Sequence, residues 1–245
     1  NSVVRAGMFD FQNGFFYEFD GQDLYAVRRS STAQISGTAT VTYNSNLVQG
    51  LNTNFSGQLN EGEYIVIRGQ SYKVVKIKSA GEMVIQPQYK GISASGVILT
   101  KTEDVRVKQA DWNEDTADGN GPSGFELDTT KIQMAYMDYS WYGAGKVRFG
   151  FKDRNGKVRY VHSFLHNNRL TEAYMRSGNL PARYEIFNTG QPTYVPSLFH
   201  WGTSVIMDGR FDQDDSYLFT AASKQLSFTN GQTLSANTTG NSGVF

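Results

Sequence analysis

Oxygen donors crowd one stretch of this chain. Asp111, Asn113, Asp115, Asp118 and Asn120 all lie in the glycine-containing run DWNEDTADGNGPSG. Carboxylates and amides spaced along a flexible loop are the ligand type of a hard cation such as calcium. Asp111, Asn113 and Asp115 are therefore the candidate calcium ligands. The spacing departs from an EF-hand loop, because Thr116 stands where the sharp turn needs Gly and Pro122 where a bidentate Glu belongs. The competing reading is a solvated acidic loop that holds no cofactor. Asp208, Asp212, Asp214 and Asp215 form a second acidic group with the same two readings.

Nucleophilic and zinc chemistry find less support. His162 and His166 are four apart in HSFLH, but no Glu follows the first His, and the run has a strand pattern. A zinc-protease motif needs both imidazoles on one helical face with a Glu base between them. The run Gly91-Ile92-Ser93-Ala94-Ser95 misses the nucleophile-elbow pattern at its last position, and no phosphate loop or dinucleotide fingerprint occurs. These residues predict a protein that is not an enzyme. The remaining chemistry is aromatic. Trp112, Tyr139, Trp141 and Tyr142, with Tyr136 and Tyr160 nearby, could stack on sugar rings or fill a subunit contact or a core. Trp141, Tyr142, Tyr139 and Trp112 are the candidate glycan or subunit contacts.

Composition narrows the classes further. The chain has 245 residues with Lys+Arg and Asp+Glu both at 23, so the formal charge is zero and no long-range attraction for nucleic acid follows. It has no cysteine, which removes disulfides and thiolate sites. No apolar run is long enough for a membrane span. The start at Asn1 without Met and the polar end suggest a processed chain or a piece of a longer one.

The elements that must position these side chains read as strands. Gly at 25 residues and aromatics at 13% fit a turn-rich β protein. Between Lys131 and Phe164 the pattern predicts a β-meander: a first run of alternating faces, a break at Gly143-Ala144-Gly145, and two charge–apolar alternating strands. The latter two are joined at Asn155-Gly156, where the dipeptide predicts a type I′ turn. Met8–Arg29 reads as two strands, Leu170–Arg176 as a helical turn or short strand, and Leu180–Ile186 and Trp201–Met207 as further strands. Tyr217-Leu218-Phe219 begins the last clear strand. From Gln34 to Lys101 aromatics thin out and short strands follow one another, with a compact hairpin at Gly69-Gln70, which suggests a small closed barrel. The expected architecture is an all-β, antiparallel β-sandwich of jelly-roll or lectin-like type, made from 1–33 and 104–222. It is interrupted by an inserted small β-barrel at 34–103 and followed by a polar, linker-like tail at 223–245.

Several runs resemble a family of tailed-bacteriophage virion structural proteins of marine and cyanobacterial phages. They are GMFDFQNGFFYEFDG (7–21), YAVRRSS (25–31), DWNEDTADGNGPSGFELDTTKIQM (111–134), DYSWYGAGKVRFGF (138–151), YVHSFLHNN (160–168) and AYMRSGNLPARYEI (173–186). The stretch 37–77, with GTATV and TNFSGQLNEGEYIVIRGQSYKVVKI, separately resembles a small β module of phage structural proteins. The resemblance implies a tail, baseplate or fibre component located in the virion. Its partners would be other virion proteins or further copies of the same chain in a homo-oligomer, and it carries over no catalytic residue. A carbohydrate- or receptor-binding module of a tail fibre, contacting a host-surface glycan, is the alternative. Relatives of this kind tend to be longer, in line with a chain that is one segment of a larger subunit.

Overall fold

Alternation at period two governs nearly every element, because side chains of a strand point to opposite faces and one face must be buried. A computed structural model describes residues 2–190 and 197–206. Fourteen strands occur among them: β1 Ser2–Phe9, β2 Gly14–Phe19, β3 Leu24–Gln34, β4 Thr38–Val41, β5 Leu47–Leu51, β6 Tyr64–Ile67 and β7 Gln70–Ser79. The others are β8 Glu82–Gln86, β9 Ala94–Val97, β10 Leu99–Lys108, β11 Ala135–Asp138, β12 Lys146–Lys152, β13 Val158–Leu165 and β14 Ala182–Asn188. All pairings are antiparallel. The chain divides into two compact units, 1–200 and 201–245, and in the second only 201–206 are described, without helix or strand.

One sheet of eleven strands runs in the order β14-β1-β2-β3-β10-β6-β7-β8-β5-β4-β9, and a second holds β11-β12-β13. The three-stranded sheet packs on the inner face of β2 and β3. Phe15, Tyr17 and Ala26 meet Val147, Phe149, Phe151 and Val161 in one core, which makes this part a β-sandwich. Tyr17 anchors it: its ring lies 4.6 Å from Phe151 and 5.3 Å from Phe149, and its hydroxyl donates to Gly150 O at 3.1 Å. At the same place the β12–β13 register slips, with Phe149 opposite His162 and Gly150 opposite Tyr160, so that Val161 of β13 is the extra residue of a bulge.

In the chain β9 ends at Val97 and β10 begins at Leu99, while in the sheet β10 and β9 stand at the two ends of the run β10-β6-β7-β8-β5-β4-β9. These strands curl into a small barrel-like unit, open between β9 and β10, around its own core, which includes Ile35, Val41, Val48, Phe55, Ile65, Val74, Met83, Val97 and Leu99. The core residues of the sandwich come from outside that span. Strands β3 and β10 belong to both parts, paired from Tyr25↔Lys108 to Gln34↔Thr100.

Two turns differ in detail from their sequence expectation. At 153–156 only Gly156 has positive φ, +75°, while Asn155 does not. The loop is a tight turn closed by Gly156 N–H donating to Asp153 O, with the glycine making the bulge. Asp153 decides this, because its Oδ1 accepts from Asn155 N and Lys157 N and so fixes the turn from the side chain. In the barrel the hairpin turns on Arg68-Gly69 rather than Gly69-Gln70: both have positive φ, and Ile67 faces Gln70. Leu170–Arg176 forms neither helix nor strand, and no strand is found over 201–206. The expected strand at Tyr217-Leu218-Phe219, the Asp208–Asp215 group and the tail at 223–245 lie outside the described residues.

Candidate functional site: a braced aromatic loop

The sandwich carries the predicted aromatic residues, but it separates them. Trp112 is 5% exposed in the core, where its indole N–H donates to Val107 O at 3.1 Å and its ring lies 6.1 Å from Tyr17. Tyr139 is half-buried, 5.1 Å from Phe15. Trp141 and Tyr142 stand at the tip between β11 and β12, 57% and 90% exposed. Tyr136 and Tyr160 lie on the outer face of the small sheet, 6.0 Å apart and edge to face. There Asp138 accepts from the Tyr160 hydroxyl at 2.9 Å and from both arms of Arg148.

A loop with so many aromatic and glycine residues has little secondary structure to hold it. Here the segment 166–180 does so. Tyr139 donates its hydroxyl to Gly178 O at 3.1 Å, and Tyr174 donates its own to Ser140 O at 3.1 Å. The Tyr174 amide donates to Gly143 O at 2.9 Å, and the His166 amide to Gly145 O at 3.1 Å. His166 adds a side-chain bond from Nδ1 to the same Gly145 oxygen at 2.8 Å. That bond requires the proton on Nδ1, which leaves Nε2 an enclosed acceptor with no partner among the described residues. Burial, with the nearby Arg28 cation, lowers the His166 pKa against the pull of the Gly145 bond, so the ring is neutral. The ring also packs against Tyr174, with centroids 3.9 Å apart and the planes tilted by 31°.

Two glycines make room for this brace. Gly143 has φ of +69°, and a Cβ there would meet Met175 O at 2.9 Å. At Gly178 a Cβ would fall 1.5 Å from Trp141 Cδ1, so the indole rests directly on this backbone. Trp141 is thus exposed yet seated. The sequence identified Trp141 and Tyr142 by residue type alone. It did not identify His166, Tyr174 and Gly178 as their supports, because no local pattern links residues so far apart in the chain.

The acidic loop is tied to β13. Glu114 and Asp115 donate their amides to Val161 O, and Asn113 exchanges side-chain bonds with both backbone groups of Ser163. The Asp115 carboxylate is buried and accepts from Ala117 N and Ser123 N, both at 2.8 Å. Burial pushes its pKa up, but the bonds from Ser123 and Ala117 outweigh this and lower it. Asp118 accepts from Asn120 N and the Thr116 hydroxyl. Asn113 and Asp115, two of the candidate calcium ligands, therefore spend their oxygens within the fold. Among the described residues no group of three or more His, Cys, Asp or Glu gathers in a metal-holding arrangement.

The chain matches no protein-family model, no curated protein and no solved structure. Among the described residues no helix is long and apolar enough to cross a membrane, which leaves strand-built membrane proteins unaddressed.

Proposed function

We propose that this chain is a non-catalytic structural component of a tailed-phage virion, in its tail or baseplate, working through subunit contacts. The observation that carries the contact role is the braced loop. Trp141 and Tyr142 project from a turn held by five hydrogen bonds from 166–178. Exposed Trp and Tyr held in place before binding lose little entropy on docking and are the residue types that dominate interfaces. The family-like runs described above supply the virion assignment, and several of them coincide with β2, β3, β12, β13 and the brace itself.

A second reading draws on the same feature. A single indole held against a glycine, beside an exposed tyrosine, is also a stacking platform for a sugar ring. Sedimentation of the purified chain and its recovery from phage particles test the first reading. Trp141→Ala and Tyr142→Ala are expected to abolish self-association or incorporation while leaving the melting temperature nearly unchanged. Wild-type self-association and incorporation in both variants would defeat it. A glycan array separates the alternative: binding lost in Trp141→Ala would favour the sugar platform.

A further inference from the structure

Among the described residues, the arginines in the strands are matched to carboxylates with one exception. Arg5 pairs with Glu18 at 2.6 Å, Arg29 with Asp104 at 2.8 Å, and Arg106 with Glu18 at 2.6 Å. Arg148 pairs with Asp138 at 2.7 Å, Arg159 with Asp153 at 2.8 Å, and Arg183 with Glu185 at 2.8 Å. Arg28, in the middle of β3, has no ion pair and no hydrogen bond among the described residues. Its guanidinium stands 5.9 Å over the Phe164 ring, and its Nε is enclosed without a partner. Burial lowers its pKa, the direction expected of a cation that has lost water and gained no anion.

The same side chain lines a cleft of about 150 Å³ between β3 and the segment 170–174. Ser30 and Thr32, whose hydroxyls share a hydrogen bond of 3.1 Å, line it from β3, and Thr171 lines the opposite wall. Glu172 also lines the cleft and forms no ion pair among the described residues. A guanidinium fork with adjacent hydroxyl donors is matched to a planar, singly charged acceptor. One cation facing a cleft that already contains a carboxylate is poorly matched to a dianion. The volume suits one ring or one side chain and excludes a chain of sugars.

We propose that this cleft is a carboxylate-binding pocket, with Arg28 holding the anion and the hydroxyls of Ser30, Thr32 and Thr171 completing its hydrogen bonds. The carboxylate comes from an acidic sugar or from an acidic side chain of another molecule. Calorimetric titration of the full chain with acetate, D-glucuronate and inorganic phosphate tests this. Acetate and glucuronate are expected to bind saturably, with affinity at least about tenfold weaker in Arg28→Gln. Glucuronate binding much more tightly than acetate would identify a sugar acid, and equal binding an isolated carboxylate such as a side chain presents. Arg28→Lys serves if the first variant does not fold; it keeps the charge, loses the fork, and is expected to bind more weakly than wild type. No saturable binding, binding unchanged in the Arg28 variants, or tighter binding of phosphate would overturn the proposal. Carboxylate binding by Glu172→Gln alone would also overturn it, since the chain would then fill the pocket itself. The contact role of the Trp141 loop is read separately by Trp141→Ala and stands or falls without this pocket.

Discussion

His162 is buried on β13, where its Nδ1 accepts from the Asn113 amide at 3.3 Å and its Nε2 is enclosed without a partner among the described residues. Burial brings its pKa down to about 4, against a small opposing pull from Glu114. Below its ordinary value of 6.5 the unfolded chain takes up a proton there that the folded chain refuses until about 4. The contribution of this group to stability is therefore complete above pH 6.5 and falls as pH drops through that window, by up to about 3 kcal/mol near pH 4. His166 acts in the same direction. Urea midpoints between pH 7 and 4.5 should fall, and His162→Gln should flatten part of that slope; an identical slope in the variant would refute the assignment. At Gly178 the expectation is steric. Gly178→Ala places a methyl where the Trp141 indole lies, so it should displace the ring and reproduce the contact loss of Trp141→Ala with the core intact. Intrinsic tryptophan fluorescence would report the shift.

Strands β1, β2, β3, β10 and β14 have a second face, opposite the sandwich core, that carries its own solution to exposure. Phe9, Phe16 and Val27 are fully buried there with no second sheet above them among the described residues. Arginines form the cover: Arg5 and Arg29 stand 5.3 and 5.0 Å over the Phe16 ring, and Arg183 stands 5.2 Å over Phe9. Glu18, 3% exposed, ties Arg5 and Arg106 together. Glu18→Gln should cost about 2–4 kcal/mol in chemical denaturation, since it leaves two cations short of their shared anion. Tyr174→Phe removes the hydroxyl bond to Ser140 O and should cost about 1 kcal/mol, with faster amide exchange at 140–145 as its more specific sign. The alternation of β2, β12 and β13 was legible in sequence, because half-buried strands write their faces at period two. The arginine cover was not. Its charges read as a wet face, and only cross-strand register shows that Arg5, Glu18 and Glu185 stand side by side. The brace at 166–180 was illegible for a related reason. Tyr174 and Met175 are core residues in a segment with neither helical nor strand period, so their burial depends on contacts with remote residues.

Among the described residues the two larger apolar cores, that of the sandwich and that of the barrel-like unit, are connected through one pair of strands, β3 and β10. The change of texture at Gln34 and Lys101 marks the transition between them, because a barrel of short strands needs small β-formers and the sandwich uses aromatic rings. Ile35 N donates to Leu99 O at 2.9 Å, so the two crossing points lie one hydrogen bond apart. Replacing residues 37–97 with a short Gly-Ser turn should leave a frame that unfolds cooperatively and keeps its near-ultraviolet aromatic signal. Loss of that signal would mean that the barrel is needed for the sandwich to fold. The location of the candidate site also depends on this scale, since the Trp141 loop rests entirely on sandwich elements. The shared strands have a mechanical consequence. A pull on the barrel along β3 and β10 loads the β2–β3 ladder, Gly14↔Arg29 to Phe19↔Leu24, in shear, so its bonds must yield together. A pull across the strands would peel β10 from β3 one pair at a time. The joint is therefore stiff along one direction and weak across it, and single-molecule stretching from a barrel residue should give a rupture force that depends on which frame residue is anchored.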